Sequence, residues 1–463
     1  MRVGIMGGGI TGLTSAFYLL RAGAKVTVIE GRPQLGGLAT YYKFGPFWWD
    51  KFYHCILTSD GPLLQLVNDL GLAPELRWTE TKVGFFADQR LYPMSSTLDF
   101  LRFPPLNLWQ KVRLAAGILY AARIREARRL ESHLASDWLI RIFGQANYNK
   151  MWGPLLKCKL GACRDEASAA FIWATISRLY STREKNANRK ERLGYVRGGY
   201  RTVVGRLLKE IECMGGKIMA GAPVQRVLAV NGQIQCTTAS DCLSFDRVIS
   251  TVPSPALASV APQLDAPYVR KLLRVKYLGV VCFALVLKRQ LSPYYVMNLT
   301  DEGLPFTGII EMSNLISGEE TGGHHLVYLP KYTAPGDPLF DATEEEIWQV
   351  FRAGLKKVFP DLNDAEIENR HLFRERFVQP VPVLHYSEMV PDMQTSVPGL
   401  FLANTTQIVN STLNNNEMVK IARRAVSLLT GHHSNPHLAP ASLPEISKAV
   451  PAHHDRPSVV SSC

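Results

Sequence analysis

No two cysteines in this chain are spaced as C-x-x-C, and the eight present (positions 55, 158, 163, 213, 236, 242, 282 and 463) fall at irregular intervals. That spacing argues against a zinc ribbon, a dithiol redox motif or a disulfide framework, and the cysteines read as reduced thiols of a cytoplasmic protein. Long apolar runs are missing too. The longest uncharged one is Tyr277–Leu287 (YLGVVCFALVL), well short of the roughly 20 residues that span a bilayer. A signal peptide is not expected, because Met1 is followed by a single Arg and then at once by a Gly-rich motif. The histidine pairs His324-His325 and His432-His433 are adjacent in sequence. They do not share a helix face as ligands at i and i+4 would, and no metal site is expected. Charged residues make up only 20% of the chain against 46% hydrophobic. That composition excludes disorder of the whole and gives the 463 residues a sizeable core, in two to four domains by size alone.

Acidic residues are scarce in one stretch. Between Arg102 and Arg201 there are 20 Lys and Arg against 7 Asp and Glu, a net of +13. The rest carries 32 basic and 33 acidic residues, a net of −1, so one stretch supplies the whole +12 of the chain. No zinc finger, RNP motif or strong helix-turn-helix signal accompanies it, and a nucleic-acid partner is not expected. A solvated basic face, an anionic small-molecule substrate and an anionic membrane surface remain as readings.

What is present is organised from the first residue. Residues 2–6 (RVGIM) form a buried-strand pattern, 11–22 a helix stopped by Gly23, and 25–30 (KVTVIE) a second strand. From about 61 to 192 the pattern is mostly helical. Within it, 108–130 reads as one amphipathic helix with Trp109, Val112, Ala116, Leu119 and Tyr120 as its apolar stripe and basic residues toward its C-terminal end. This basic helix is the place where peripheral membrane contact is expected. Residues 182–192 read as a mobile polar loop. Asn231-Gly232 signals a hairpin. Further strands are expected at 246–252, 277–288, 325–331 and 399–403, and helices at 343–359 and 415–430. The Pro-, Ser- and His-rich residues 432–463 are expected to be a disordered tail.

The chemistry sits in the first strand–helix–strand unit. Gly7-x-Gly9-x-x-Gly12 follows a strand and opens a helix. The first Gly permits the tight turn, the second lets backbone approach a pyrophosphate, and the third lets the helix pack on the sheet. The helix start offers free N–H groups to phosphate. Glu30 ends the next strand, 18 residues after Gly12, where an acid binds a ribose hydroxyl. The fingerprint alone leaves NAD and FAD both open. Gly31, Arg32, Gly36 and Gly37 continue the loop, and a cation with a Gly pair suits a second approach to the pyrophosphate and a ribityl chain.

Glu30-x-Arg32-x-x-x-Gly36-Gly37 after an N-terminal GxGxxG resembles the flavin-containing amine oxidase superfamily. Its members include protoporphyrinogen oxidases, carotenoid desaturases and, more distantly, UDP-galactopyranose mutases. Three later segments agree with it: Tyr195–Leu208 (YVRGGYRTVVGRLL), Asp246–Pro253 (DRVISTVP) and Gly399–Ala403 (GLFLA) ahead of a last helix. The resemblance implies an α/β fold, a Rossmann-like FAD-binding domain interleaved with a mixed α+β substrate domain. The FAD-binding domain would take 1–75, 195–262 and 396–430, and the substrate domain 76–194 and 263–395. By position, the resemblance assigns Gly7, Gly9, Ile10, Thr11 and Gly12 to the pyrophosphate and Glu30 to the adenine-side ribose. Gly31, Arg32, Gly36, Gly37 and Leu38 would line the pyrophosphate and ribityl chain, Val224 would meet adenine through its backbone, and the helix start at Asn415 and Asn416 would point at the flavin. Where the family often has Gly-Asp after its last strand, this chain has Ala403-Asn404. Asn404 would then reach the ribityl hydroxyls in place of the Asp.

For the reaction itself, the resemblance implies hydride transfer from an organic substrate to flavin N5, with the cofactor carrying the chemistry. The alternative is a redox-neutral mutase-like isomerase of sugar nucleotides. The segment Trp48–His54 (WWDKFYH) would run along the flavin, with His54 as a proton carrier or a packed structural residue. Arg197, beside Gly198-Gly199, would meet an anionic substrate group or lie on the surface. Trp48 and Trp49 are expected in a cavity wall. The substrate and the oligomeric state leave no readable signal.

Overall fold

The computed structural model describes residues 1–184 and 192–431. The expected loop falls largely on 185–191 and the expected tail on 432–463, both outside the described residues. Arg2–Met6 is buried from its second residue on and pairs in parallel with Lys25–Ile29 on one side and Arg247–Ser250 on the other. Lys217–Met219 adds beyond the first neighbour and Leu400–Leu402 beyond the second, both parallel. One five-stranded sheet therefore draws its strands from both ends and the middle of the chain.

Side chains alternate between the two faces of these strands. Val3, Ile5, Val28 and Ile249 face helices Ile10–Arg21, Gly199–Cys213 and Asn415–Thr430. Met6, Ile29, Val248 and Leu400 face a small antiparallel sheet of Arg226–Val230, Gln233–Thr237 and Cys242–Phe245. The hairpin at Asn231-Gly232 forms as expected, with φ of 50° and 74° at its two central residues.

The second layer is a seven-stranded mixed sheet. At its heart Tyr277–Leu287 is buried at every residue. Val280, Cys282, Ala284 and Val286 face the Phe44–Phe52 segment. Val281, Phe283, Leu285 and Leu287 face helix Glu344–Val358 through Ile347, Trp348 and Phe351. Burial on both faces explains why this run shows no polar alternation. Among the described residues no helix is long and apolar enough to cross a membrane. No cluster of potential metal ligands occurs among them either, and the seven described cysteines are free thiols.

Helices Leu108–Arg123, Ala135–Phe143, Gly153–Leu160 and Ala169–Glu184 share a third core beside this sheet. Several expectations need correction here. The stretch read as mostly helical contains three strands, Leu76–Glu80, Val83–Ala87 and Arg90–Pro93. The helix expected over 108–130 ends at Arg123, and Ala127–Ser132 is a separate 3-10 turn. Its apolar stripe lies on the outside: Trp109, Val112, Leu119 and Tyr120 are exposed, while Leu114, Gly117 and Ala121 are buried. The small residues face inward because Phe143 presses so close that a Cβ on Gly117 would lie 2.5 Å from its ring. The divisions at 75/76 and 194/195 also fail locally. They cut a three-stranded sheet in which Arg192–Val196 pairs with both Ile56–Leu57 and Leu76–Glu80.

Candidate functional site

The first sheet ends in a turn made almost wholly of backbone. Gly7 has φ of 109°, and a Cβ there would meet Thr251 Oγ1 at 2.4 Å. Gly9 is the N-cap of helix Ile10–Arg21 and offers it no side-chain cap; the first helical turn holds no acid. The N–H groups of Ile10, Thr11 and Gly12 are thus the free donors of the positive helix end. Gly12 packs so tightly that a Cβ would sit 2.0 Å from the Gly7 carbonyl oxygen.

Opposite this turn runs the second glycine segment. Gly36 donates its N–H to Gly8 O at 2.8 Å, and Gly9 bridges Gly36 in parallel. Gly36 and Gly37 take φ of 120° and 58°, and a Cβ on Gly37 would reach Gly9 Cα at 3.1 Å. The result is a cradle floored by backbone, with helix donors at one end and Leu38 half-buried at the other. A pyrophosphate with a polyol chain fits such a cradle, because side chains would fill it and bare amides suit phosphate.

Glu30 closes the adenine side. Its carboxylate accepts the N–H of Gly8 at 2.6 Å and of Arg32 at 2.8 Å. Each oxygen keeps a lone pair for a further donor. A Cβ on Gly31 would lie 3.4 Å from Pro223, and Ala222 N–H donates to Glu30 O, which brings half-buried Val224 alongside.

Two assignments change, and the two readings of Arg197 narrow to one. The Arg32 guanidinium forms a two-pronged pair with Glu375 of strand Ile367–Pro380. It ties the two layers together and is not a free cation at the cradle. The Asn404 amide is spent: Oδ1 accepts from Thr406, and Nδ2 donates to Val252 O at 2.7 Å and Ser254 Oγ at 3.3 Å. It clamps the turn after the last strand, with no group left for a ribityl hydroxyl. Arg197 pairs with Glu75 at 3.1 Å and is largely exposed, so it is a surface residue and is not brought to the cradle. The last helix begins at Asn415 as expected, with Asn414 as its cap, but Asn416 turns inward to accept from Leu63 N–H at 3.1 Å.

Residues 10–411 match the family described as flavin containing amine oxidoreductase. The chain belongs to this family. It is 22% identical to the 15-cis-phytoene desaturase of Synechococcus elongatus over 445 residues, which cover 87% of this chain and 90% of that protein. Its fold resembles an oxidoreductase from Methanosarcina mazei (TM-score 0.74, 18% identity, 92% of this chain and 100% of that one). It also resembles reduced UDP-galactopyranose mutase (TM-score 0.72, 14% identity, 95% of this chain and 97% of that one). At those identities the structures establish the fold. The family establishes a flavin-dependent oxidoreductase.

In this flavoprotein the Trp48–His54 segment divides by strand alternation. Trp48 is exposed, with Arg201 4.8 Å above its ring, and Trp49 is fully buried, so the two do not line one wall. Buried Asp50 accepts the Tyr200 N–H at 2.8 Å and faces His54 Nδ1 at 3.4 Å. Burial raises the Asp50 carboxyl above its ordinary range, and His54 opposes that shift. The His54 ring lies 4.9 Å from that of Tyr200. The pair borders a void of about 10 Å³ that Trp49 and Ile56 also line.

A second group of residues left no local signal in the sequence. Tyr53 and Tyr332 bring their hydroxyls within 3.0 Å. Arg178 holds Asp60 at 3.1 Å and Thr412 at 3.0 Å, fixing the loop that leads into the last helix. Lys159 is on helix Gly153–Leu160, which packs on the strand carrying Tyr332. Burial raises both phenols and lowers the Lys159 ammonium, with Arg178 adding to the latter. All three residues nonetheless keep accessible surface. No spacing rule could find them, since Tyr53 and Tyr332 are 279 residues apart.

Proposed function

We propose that this oxidoreductase binds FAD in the glycine cradle and oxidises an organic substrate by hydride transfer to the flavin. The cradle carries the reading: Gly9, Gly36 and Gly37 meet backbone to backbone beside an uncapped helix start. When bound, FAD supplies the acceptor for a hydride from substrate. The chain's own residues bind and orient. The N–H groups of Ile10, Thr11 and Gly12 would hold the pyrophosphate, Glu30 the ribose, and the Val224 backbone the adenine. Gly36, Gly37 and Leu38 would flank the ribityl chain, and the helix start at Asn415 would face the ring system with its positive end. With Nδ1 turned to Asp50, His54 Nε2 is the ring atom that can give or take a proton.

The substrate proposed is an organic small molecule with lipophilic or anionic parts. The two-domain division belongs to the same reading, supported by the parallel sheet drawn from three chain segments, with its borders moved off the three-stranded sheet. The mutase alternative is not favoured, since the family match and the desaturase relative are both oxidoreductases.

Mass analysis of cofactor released from the purified protein distinguishes FAD from FMN. Anaerobic titration with amines, porphyrinogens, polyenes and nucleotide sugars should bleach the flavin with one class. A protein that neither carries nor takes up FAD would sink the proposal. Turnover only after dithionite, with no electrons leaving substrate, would restore the mutase reading.

A further inference from the structure

Thirteen large apolar side chains are exposed among the described residues, and seven of them fall within 98–120. Leu98 and Leu101 come from helix Thr97–Arg102; Leu108, Trp109, Val112, Leu119 and Tyr120 come from helix Leu108–Arg123. Trp109 is 82% exposed and Leu108 73%. The five positions on the longer helix recur at the spacing of one face. That face cannot roll inward, because the opposite one is fixed by Leu114, Ala121 and the Gly117–Phe143 contact. Both helices start with capping boxes, and Lys111 Nζ joins them by donating to Leu101 O at 2.7 Å.

Cationic charge dominates this face: the one acid of its two helices, Asp99, is taken up in the capping box with Ser96. From Phe100 to Arg125 there is no Asp or Glu, while Arg102, Lys111, Arg113, Arg123 and Arg125 are all cationic. Those with hydrogen bonds use carbonyls: Arg113 on Ile142 and Arg141, Arg123 on Leu119. None of the five has a carboxylate partner among the described residues. A carbonyl holds a guanidinium in place without cancelling its charge.

We propose that these two helices form a membrane-docking surface that lays Trp109 and its apolar neighbours into the head-group boundary of an anionic bilayer. Leu and Val supply apolar depth, Trp and Tyr suit the interface with one apolar and one polar end, and the cations meet acidic head groups. A second copy of the chain is a poor occupant, since a two-fold contact would set five unneutralised cations against five. The chain would lie on the bilayer without crossing it, as no described helix can span it. The surface is independent of the cofactor assignment.

The test is co-sedimentation of the full flavin-loaded protein with phosphatidylcholine vesicles, with and without phosphatidylserine, at low and high salt. Binding is expected to the anionic vesicles and to fall with salt. Trp109→Ser with Val112→Ser should weaken it about tenfold or more. Arg123→Gln should weaken it about fivefold and flatten its salt dependence. Unchanged flavin content in both variants shows that the fold survives, as expected for exposed sites. Failure of the parent to bind would overturn the proposal, and so would equal binding to neutral vesicles or unaltered binding by the Trp109 variant. Concentration-dependent dimers abolished by the same substitutions, without vesicle binding, would hand the surface to a second copy.

Discussion

Alanine at Gly9 and at Gly12 should act in opposite directions on the protein, though both glycines belong to one turn. At Gly12 the added Cβ would sit 2.0 Å from the Gly7 carbonyl oxygen and 3.2 Å from Ile5 Cγ2. Real contacts of that kind do not fall below 3.0 Å, so the gap must open by about 1 Å. The neighbour is backbone and cannot swing away. The helix start must lift, and the helix carries eleven buried residues, Ile10 to Leu20. Overpacking of this kind costs about 1–3 kcal/mol, and a shift shared by a whole helix belongs at the upper end. At Gly9 the picture reverses. Its φ of −75° and ψ of 179° suit any residue, and the nearest atom to an added Cβ is Gly37 Cα at 3.8 Å, an ordinary contact. Alanine there should leave the flavin-free protein unchanged or firmer by about 0.4–1 kcal/mol, through loss of unfolded-state freedom. The same methyl stands in the cradle, so affinity for added FAD should drop. Urea unfolding of the flavin-free proteins, paired with FAD titration followed by flavin fluorescence, reads both effects. Full FAD affinity in Gly9→Ala would refute the cradle. A Gly12→Ala protein as stable as the parent would refute the packing argument.

Three further outcomes follow from buried or bridging charges. Glu311 is fully buried and accepts from Leu291 N, Ser292 N and Ser292 Oγ, while burial pushes its carboxyl up from 4.5 to about 7. A folded pKa above the unfolded one means stability present at low pH and lost as pH rises. The unfolding free energy of the parent minus that of Glu311→Gln should therefore fall between about pH 4.5 and 7, by up to about 3 kcal/mol; a flat difference would contradict the burial. His54→Ala removes the group that opposes the upward shift of Asp50, so the variant should melt below the parent, and an equal melting temperature would contradict the pairing. Arg32→Ala breaks the pair with Glu375, but with the Arg 59% exposed the cost should be only about 0–1 kcal/mol. FAD affinity should be nearly unchanged, and a collapse in affinity would return Arg32 to the cofactor.

How far the sequence could be read depended on whether neighbours in space were also neighbours in the chain. The Arg2–Ile29 unit, the Asn231-Gly232 hairpin and the start of the last helix were legible because each is specified within a few residues. Glu30 was legible because its distance from Gly12 is set by one helix and one strand. Arg32 was misread because its partner lies 343 residues away. Asn404 was misread because burial, which no local pattern reveals, commits both ends of its amide. The 108–123 helix shows a different limit. Its period was plain, yet a wheel carries two faces. The one that packs was chosen by Gly117 and Phe143, small against large, over the face with more carbon. The end of that helix at Ile124 has no Pro or Gly to announce it.

The parallel sheet has a consequence for synthesis. Its edge strand Leu400–Leu402 pairs with Arg247–Ser250, so about 150 residues must leave the ribosome after the inner strand before its partner arrives. During that interval the inner strand presents unpaired N–H and C=O groups along an apolar edge, the kind of template on which chains aggregate. The cradle at Gly7–Gly12 is translated first and completed last. Nascent chains should gain protection from bound cofactor only late, and truncations before Leu400 should be found with chaperones or in inclusion bodies.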